Sequence, residues 1–450
     1  MKMENVNSAE FLNRITAVVP DKRQIDFQNL GYYNFIHFGL NTFTKKEWGS
    51  GKVSPKVFSL TDIDTDKWAK QLKETGSTGI ILTAKHHDGF CLFPSKYTDY
   101  TIAATVYRNG RGDLVKQLSD SCTKYGLKFG IYLSPWDRHE STYGTEAYND
   151  FFCNQLTELC TNYGDIFCFW FDGACGEGKN GRKQRYDWNR YFEIIRRLQP
   201  NAVITNCGPD VRWIGNEFGK PRKSEFSVMP KKMQDHLKIA EMSQQKEGAT
   251  VMLKAPSFTD QSLGEREQLV GEELCWYPAE MNIPVTYFGW FWRPLFEIFF
   301  TRSVRNLEKC YYNSVGANAT LLVNVPPNSK GELPEKFIKR LVKTRIKIEK
   351  RFRQKAETIS IEQNGNDIIA RIKPQTVRTV VLLEDITKSQ RIEEFSIIAD
   401  GKEVYSGTTV GFKKICLLKK PMKNCSEIIL HIKKCRQQPF VKKMDLYLGK

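Results

Sequence analysis

Polar residues that follow short apolar runs are the ones in this chain best suited to chemistry. Asp172 follows FCFWF, His37 follows NFI, and His86, His87 and Asp88 follow GIILTAK. A carboxylate beside such a run is buried and desolvated unless it faces an open cavity. Asp172 can therefore be a functional group that faces such a cavity, or it can cap the loop that follows. The pattern alone favours neither interpretation.

The adjacent histidines His86 and His87, with Asp88 next to them, could be interpreted as zinc ligands. Neighbouring residues on a strand point to opposite faces, so two adjacent imidazoles do not readily bind one ion. The sequence contains no HExxH or similar spacing. We therefore expect no metal and no other cofactor. The imidazoles are expected to bind hydroxyl groups or to support a neighbouring side chain.

The elements that would position these residues alternate between strands and helices from residue 30 to about 330. A segment such as 64–76 has helical periodicity, with Asp64 as a cap and Gly76 as a stop. A further helix is expected within 293–315. Near-continuous apolar runs, which are typical of parallel strands covered on both faces, occur at 34–40, 79–87, 127–137, 165–173, 202–208, 285–292 and 319–328.

The number of strands approaches eight, which favours a barrel or a doubly wound sheet. No GxGxxG follows the first strand, so dinucleotide binding has no support. In a barrel, catalytic groups lie at the carboxyl ends of the strands, where Asp172 and the histidines are predicted to be. Tyr132 and Trp136 come near the end of the third strand and join this set.

The pattern changes after a basic helical segment at 333–355. Alternating residues then predict strands, and the Asn-Gly of QNGND (363–367) and the Asp-Gly of ADGKE (399–403) are strong hairpin signals. We therefore predict three parts, namely a catalytic barrel at 1–332, a linking helix at 333–355 and an antiparallel β domain at 356–450.

Bulk composition argues against a disordered or fibrous protein, a nucleic-acid-binding protein and a disulfide-stabilised one. The 450 residues are 40% hydrophobic and 12% aromatic, as in an ordinary globular protein. The net charge of +17 would suit a polyanion partner. However, the basic residues concentrate in 336–355 and near the end of the chain, away from every motif, so we expect no nucleic-acid partner. The twelve cysteines form no CxxC pair and are expected to be buried thiols.

No stretch is long enough to span a bilayer, and the first residues lack the apolar core of a signal peptide. We expect a cytoplasmic protein if this N-terminus is native. A periplasmic or secreted protein is expected if a signal peptide has been removed.

Five motifs occur in an order that resembles one enzyme family. They are HFGLNTFTKKEWGSG (37–51), TAKHHDGFCLFPS (83–95), GIYLSPWDR (130–138), FWFDGACGEG (169–178) and WIGNEFG (213–219). Together they resemble the α-L-fucosidases of glycoside hydrolase family 29, over nearly all of the first 330 residues. The resemblance implies a distorted (β/α)8-like TIM barrel followed by a C-terminal antiparallel β-sandwich, a retaining exo-α-L-fucosidase activity and a fucosylated glycan as substrate.

The resemblance also implies roles for single residues. The aspartate of WFDG matches the family nucleophile, which gives Asp172. Tyr132 and Arg212 resemble sugar contacts, and Trp290 resembles an aromatic wall under the apolar face of the sugar. The residues that match those holding fucose hydroxyls are His37, Glu47, Trp48, His86 and His87.

The acid/base is less clearly matched. WIGNEFG resembles the motif of the branch that acts on α-1,3- and α-1,4-linked fucose of Lewis-type glycans, and its glutamate is Glu217. Glu280, in WYPAEMN, is the alternative, and Glu177 comes third. Three other functions remain open: a broad-specificity fucosidase, a non-catalytic lectin-like protein that binds fucose, and a protein that binds polyanions through its charge.

Overall fold

Parallel strands and helices alternate through the first part of the chain in the computed structural model, which describes residues 5–245 and 262–449. The strands of the main sheet are β1 (Tyr32–Ile36), β2 (Gly79–Lys85), β3 (Lys128–Leu133), β4 (Ile166–Phe171), β5 (Val203–Asn206), β6 (Arg212–Trp213), β7 (Ala279–Pro284) and β8 (Ala319–Asn324). Their order in the eight-stranded sheet is β5-β4-β3-β2-β1-β8-β7-β6. A parallel bridge between Thr205 and Val211 joins the two edges, so the sheet is nearly closed into a barrel.

Helices cover the outside of this barrel and extend beyond it. They are α1 (Ala9–Thr16), α2 (Lys22–Leu30), α3 (Leu40–Thr44), α4 (Thr65–Glu74), α5 (Leu114–Lys124), α6 (Glu146–Asn162), α7 (Trp188–Leu198), α8 (His236–Met242), α9 (Pro294–Phe300), α10 (Val304–Ser314) and α11 (Glu335–Phe352). Short 3-10 turns lie at Pro55–Val57, Ile102–Ala104, Tyr107–Gly110, Lys231–Gln234, Arg266–Leu269 and Ile386–Lys388. Short strands pair Cys175–Gly176 with Gln244–Gln245, and Val228–Pro230 with Leu274–Trp276.

Strand β4 explains why the barrel strands are apolar on both faces. Cys168 and Trp170 pack into the barrel interior. Phe169 and Phe171 pack against the helix layer. Since side chains alternate along a strand, the next residue, Asp172, is directed to the interior side at the carboxyl end of the barrel.

The helix predicted at 64–76 corresponds to α4. Asp64 Oδ1 accepts a hydrogen bond of 2.8 Å from the backbone N–H of Lys67 and thereby caps the first turn. Beyond the last turn, Gly76 has a φ of +87°, which glycine adopts without strain. The predicted cap and stop are both confirmed.

The strand predicted at 285–292 is wrong. The seventh strand is β7 at Ala279–Pro284, and residues 286–293 form an irregular segment in which Gly289 has a φ of +74°. The aromatic run has high strand propensity, but β7 carries two buried polar residues, Glu280 and Asn282, whose partners lie inside the barrel. Packing therefore overrides propensity here. The helix predicted within 293–315 is divided into α9 and α10.

The C-terminal part is an antiparallel sheet of six strands. Long strands with several register shifts fold this sheet around a core of its own. The strands are β9 (Thr358–Asn364), β10 (Asp367–Glu384), β11 (Ile392–Ala399), β12 (Lys402–Gly407), β13 (Lys414–Cys435) and β14 (Val441–Tyr447). Their order in the sheet is β9-β10-β13-β11-β12, with β14 paired to β10.

The turns predicted at 363–367 and 399–403 join β9 to β10 and β11 to β12. The predicted TIM-like barrel followed by a β-sandwich is thus confirmed. The division of the chain at 332 and 356 stays a prediction.

All twelve cysteines are free thiols, and all except Cys275 and Cys435 are buried, which confirms that prediction. Among the residues that the structure describes, no helix combines the length and the apolar character needed to cross a bilayer.

Candidate active site

Asp172 is the first residue beyond β4 and lies at the open end of the barrel. Its Oδ2 accepts a hydrogen bond of 2.9 Å from the Tyr132 hydroxyl, and its Oδ1 accepts one of 2.9 Å from the N–H of Ala174. Burial raises the pKa of Asp172, while these donors and the N–H of Gly173 oppose the rise. The side chain keeps 24% of its surface accessible, so a reacting atom can approach it.

His87 lies beside this carboxylate, with its Nε2 3.6 Å from Asp172 Oδ2. Its Nδ1 is 2.6 Å from the Ser134 hydroxyl, which itself donates to the carbonyl of Trp136 at 2.7 Å. Because that hydroxyl proton is already used, we assign the His87 proton to Nδ1, which leaves Nε2 as an acceptor. Burial lowers the pKa of His87 to about 3, so the ring is neutral.

His37 is held in the same way by a different residue. Its Nδ1 donates to Asn324 Oδ1 at 2.9 Å, and the Asn324 amide is oriented because its Nδ2 donates to the carbonyl of Trp290 at 2.6 Å. Burial lowers the pKa of His37 to about 3. The ring is therefore neutral, and its Nε2 is available as an acceptor.

His86 completes the set of imidazoles. Its ring stacks on Tyr132, with centroids 5.6 Å apart, and burial lowers its pKa well below the usual value. Its Nδ1 has no hydrogen-bond partner among the described residues. Within residues 5–245 and 262–449, no group of three or more His, Cys, Asp or Glu side chains could hold a metal ion. Three neutral imidazoles at one cavity suit a ligand with hydroxyl groups and no charge.

Glu47 holds the segment that carries Trp290. Its Oε1 accepts a hydrogen bond of 2.5 Å from the Trp290 N–H, and its Oε2 accepts one of 3.3 Å from Arg293. The Trp290 ring lies against His37, with centroids 5.1 Å apart. Burial raises the pKa of Glu47 to about 7. Both carboxylate oxygens thus bind the chain itself.

Trp48 is half-buried at the edge of this cluster. Its ring lies 5.8 Å from that of Trp136, and Trp136 lies 5.1 Å from the ring of His87. The two tryptophans therefore form an aromatic border on the side of His87.

Glu217 faces Asp172 from the loop after β6. Burial raises the pKa of Glu217 to about 7, and the negative charges of Asp172 and Glu47 add to this rise. A hydrogen bond with the Trp290 side chain and the charge of Arg302 act in the opposite direction. Glu217 therefore holds its proton more tightly than a solvated glutamate does.

Buried Arg302 fixes the backbone of this loop. Its Nη2 donates to the carbonyl of Glu217 at 3.2 Å, and its Nε donates to the carbonyls of Pro284 at 2.8 Å and Thr286 at 3.0 Å. One guanidinium therefore joins the Glu217 loop to the end of β7.

Glu280 lies deeper in the barrel, on the second residue of β7. Its Oε1 accepts a hydrogen bond of 2.8 Å from Trp170 Nε1, and its Oε2 accepts one from the Tyr33 hydroxyl. The Trp170 ring stacks on Tyr132 at 5.4 Å. Glu280 therefore lies below the Tyr132 and Asp172 pair, and both of its oxygens are occupied. Glu177 is exposed, and its carbonyl accepts from Trp136.

Arg212 is not brought to this cluster. It is the first residue of β6 and pairs with Ala279, the first residue of β7. Its guanidinium donates to Glu225 and, at 3.0 Å, to the carbonyl of Tyr277. The structure places its guanidinium in a buried ion pair with Glu225, and its role as a sugar contact stays a prediction.

Sequence reasoning missed Ser134, Asn324 and Arg302. Asn324 ends β8, so the rule that polar residues at strand ends are suspect would have found it. Ser134 lies inside the motif GIYLSPWDR. Arg302 bonds mainly to backbone carbonyls, and no sequence pattern reports such partners.

Comparison with known proteins gives this site its class. The model of the family described as Alpha-L-fucosidase matches residues 22–345. The chain belongs to the α-L-fucosidase family.

Relatives and solved structures agree with this assignment. Alpha-L-fucosidase 1 of Arabidopsis thaliana is 35% identical over 96% of this chain and 88% of its own length. A crystal structure of a glycoside hydrolase 29 family member from an unknown rumen bacterium has a TM-score of 0.82 and 32% identity, over 96% of this chain and 78% of that one. The Ruminococcus gnavus GH29 fucosidase E1_10125 in complex with fucose has a TM-score of 0.77 and 28% identity, over 96% of this chain and 95% of that one.

The protein is therefore a glycoside hydrolase with α-L-fucosidase activity, and its substrate is a fucosylated glycan. Fucose is an uncharged sugar with several hydroxyl groups. A cavity with neutral imidazoles, a tyrosine hydroxyl and a tryptophan face matches that chemistry.

The tautomer of His87 gives a testable prediction. Ser134→Ala removes the acceptor of the Nδ1 proton, so we expect kcat/KM on an aryl α-L-fucoside to fall about fivefold, the equivalent of about 1 kcal/mol for one net hydrogen bond. Ser119→Ala is the matched control, because it removes a buried serine hydroxyl that donates to the Tyr163 carbonyl at 2.7 Å on the outer helix layer. Equal kcat/KM in the two variants, at similar thermal stability, would contradict the role of Ser134.

Proposed function

We propose that this protein is a retaining exo-α-L-fucosidase in which Asp172 is the nucleophile and Glu217 is the acid/base. The observation that carries the proposal is the contrast between these two carboxyl groups. Asp172 receives hydrogen bonds that favour its anion, whereas burial and the charge of Asp172 raise the pKa of Glu217 to about 7. Two neighbouring carboxyl groups with different protonation are what a retaining glycosidase requires.

In the first step an Asp172 oxygen attacks C1 of the fucosyl group, and the bond from C1 to the glycosidic oxygen breaks. The Glu217 proton moves to that leaving oxygen, and a covalent fucosyl-enzyme forms. In the second step Glu217, now a carboxylate, takes a proton from water while the water oxygen attacks C1 and releases Asp172. Two inversions give net retention, with carboxyl groups roughly 5 Å apart.

The other residues of the cavity bind and orient the sugar. His37, His86 and His87 accept from or donate to the fucose hydroxyls, and the Trp290 ring covers the apolar face. Glu47 acts by holding Trp290, which bonds Glu217, so it supports both the wall and the acid/base. Glu280 supports the nucleophile from below through Trp170 and Tyr132.

The nucleophile can be tested by Asp172→Gly. We expect turnover of an aryl fucoside to fall at least about a thousandfold with the fold intact. Azide should then attack C1 of the substrate directly and give the inverted, β-configured fucosyl azide. Asp165→Asn, at the exposed opposite end of β4, is the control and should keep parent activity. More than a tenth of parent activity in Asp172→Gly would rule out this role.

Glu217→Ala should slow substrates with poor leaving groups far more than activated aryl fucosides, because only the former need the acid. Azide should attack the fucosyl-enzyme in this variant and give the retained, α-configured fucosyl azide. The azide products of the two variants are thus opposite anomers. If Glu280→Ala gives the α-azide and Glu217→Ala does not, the acid/base is Glu280.

The same assignment fixes the sign of the pH dependence. Glu217 must be protonated, so kcat/KM should fall as pH rises through about 7. Asp172 must be ionised, and its raised pKa moves the acid limb above the usual range for aspartate. Glu47 and Glu280 also have a pKa of about 7. An alkaline limb that persists in Glu217→Ala would therefore assign it to one of those groups.

The finer specificity rests on the resemblance of 213–219 to the branch that acts on α-1,3- and α-1,4-linked fucose. We propose Lewis-type glycans as substrates, with a branching galactose bound by loops between Lys220 and Glu273. Residues 246–261 of that stretch lie outside the described residues. Contacts to a remote sugar can raise turnover by orienting the scissile bond.

We therefore expect Lewis-type trisaccharides to exceed both their degalactosylated disaccharides and 2′-fucosyllactose in kcat/KM. Each well-made polar contact contributes about 1 kcal/mol, or roughly fivefold. Equal values for all three substrates, or faster cleavage of 2′-fucosyllactose, would support a broad-specificity fucosidase instead.

A further inference from the structure

Residues 286–301 form a lobe on the rim of the cavity, which we call the mouth lobe. An antiparallel bridge between Thr286 and Thr301 closes its base, and Arg302 binds the backbone there. On its inner side, Trp290 bonds Glu47 and contacts His37. The lobe is therefore anchored firmly to the site, and its outer side keeps a fixed orientation relative to the cavity.

The outer side is apolar and exposed. Leu295, Ile298 and Phe299 of α9 have exposed fractions of 63%, 56% and 71%. They are spaced i, i+3 and i+4, so they share one helix face. Phe288 is 52% exposed beside them, and its ring contacts Phe300 at 5.2 Å.

This concentration is unusual within the described residues. Sixteen large apolar side chains are exposed there, and six of them fall between positions 287 and 300. With about 200 Å² for each large side chain, of which roughly half is exposed, the six present on the order of 600 Å². That value is at the upper end for the largest apolar patch of a monomer, and such patches mark interaction sites.

Positive charge borders the patch. The ammonium group of Lys336, in α11, donates to the carbonyl of Ile298 at 2.7 Å, so this helix lies directly against the lobe. Helix α11 contains eight lysines and arginines against two glutamates. The carboxylate of Glu335 is paired with Lys339 at 2.7 Å, and that of Glu297 accepts from Trp292 at 2.7 Å.

We propose that the outer face of the mouth lobe docks on an anionic lipid surface, with α9 in the interfacial layer and the lysines of α11 against the headgroups. An apolar helix face flanked by lysines is the composition that binds such surfaces. Two copies of this chain would bring the same positive flank together, and like charges oppose that contact. Docking in this way turns the cavity toward glycans attached to the surface.

Co-sedimentation with vesicles tests this proposal. We expect the protein to bind vesicles of phosphatidylcholine with about 30 mol % phosphatidylglycerol, and to bind pure phosphatidylcholine vesicles less. The double substitution Leu295→Glu and Phe299→Glu should lower binding at least about tenfold. Lys336→Glu with Lys343→Glu should lower binding to the anionic vesicles and weaken its dependence on salt.

The matched control is Ile359→Glu with Ile361→Glu on β9, which changes two apolar side chains exposed by 67% and 52% away from the lobe. It should bind vesicles like the parent, and all variants should cleave a soluble aryl fucoside equally. The proposal would be overturned if the parent protein did not bind anionic vesicles, or if the lobe variant bound them as strongly as the parent does. A parent dimer that the lobe variant converts to a monomer, without lipid binding, would identify a second copy as the occupant.

Discussion

The electrostatic interaction between Asp172 and Glu217 is the constraint on which the site depends. One carboxylate near another opposes the second ionisation, and burial strengthens this effect because water no longer screens it. The structure keeps the two groups on separate segments, with Asp172 directly after β4 and Glu217 on the loop after β6. Arg302 and Trp290 then hold Glu217 by its backbone and side chain, so its separation from Asp172 is fixed by rigid elements.

A second constraint is that the cavity must present polar groups while its three imidazoles stay uncharged. Burial keeps His37, His86 and His87 neutral, and a neutral ring must have one defined tautomer to be useful. Ser134 and Asn324 define that tautomer for His87 and His37 respectively. These two residues each donate their remaining hydrogen bond to a backbone carbonyl, that of Trp136 for Ser134 and that of Trp290 for Asn324, so the loops beyond the strands orient the imidazoles.

The strands and motifs that sequence reasoning found share one property. Runs such as β2 and β4 are apolar on both faces, and a parallel sheet covered by helices demands this. Sequence reasoning did not predict strand β7 because its polar residues Glu280 and Asn282 bond to partners inside the barrel, and no local pattern reveals such bonds. The ion pair of Arg212 with Glu225 is likewise a partner that no local pattern reveals.

Glu47 illustrates a further limit, since the resemblance predicts that it holds fucose hydroxyls, whereas its two carboxylate oxygens accept from the Trp290 N–H and from Arg293 in the structure. Its pKa, like those of Asp88, Glu217 and Glu280, is raised to about 7 by burial. A carboxyl whose pKa is raised on folding contributes stability at low pH, and that contribution is lost as pH rises through the folded value. These groups therefore oppose folding at neutral pH. In the proposed mechanism, only Glu217 needs the raised pKa for proton transfer. The others keep it because the aromatic and backbone donors that position the cavity are themselves buried, so the stability cost of the site extends well beyond its two reacting carboxyl groups.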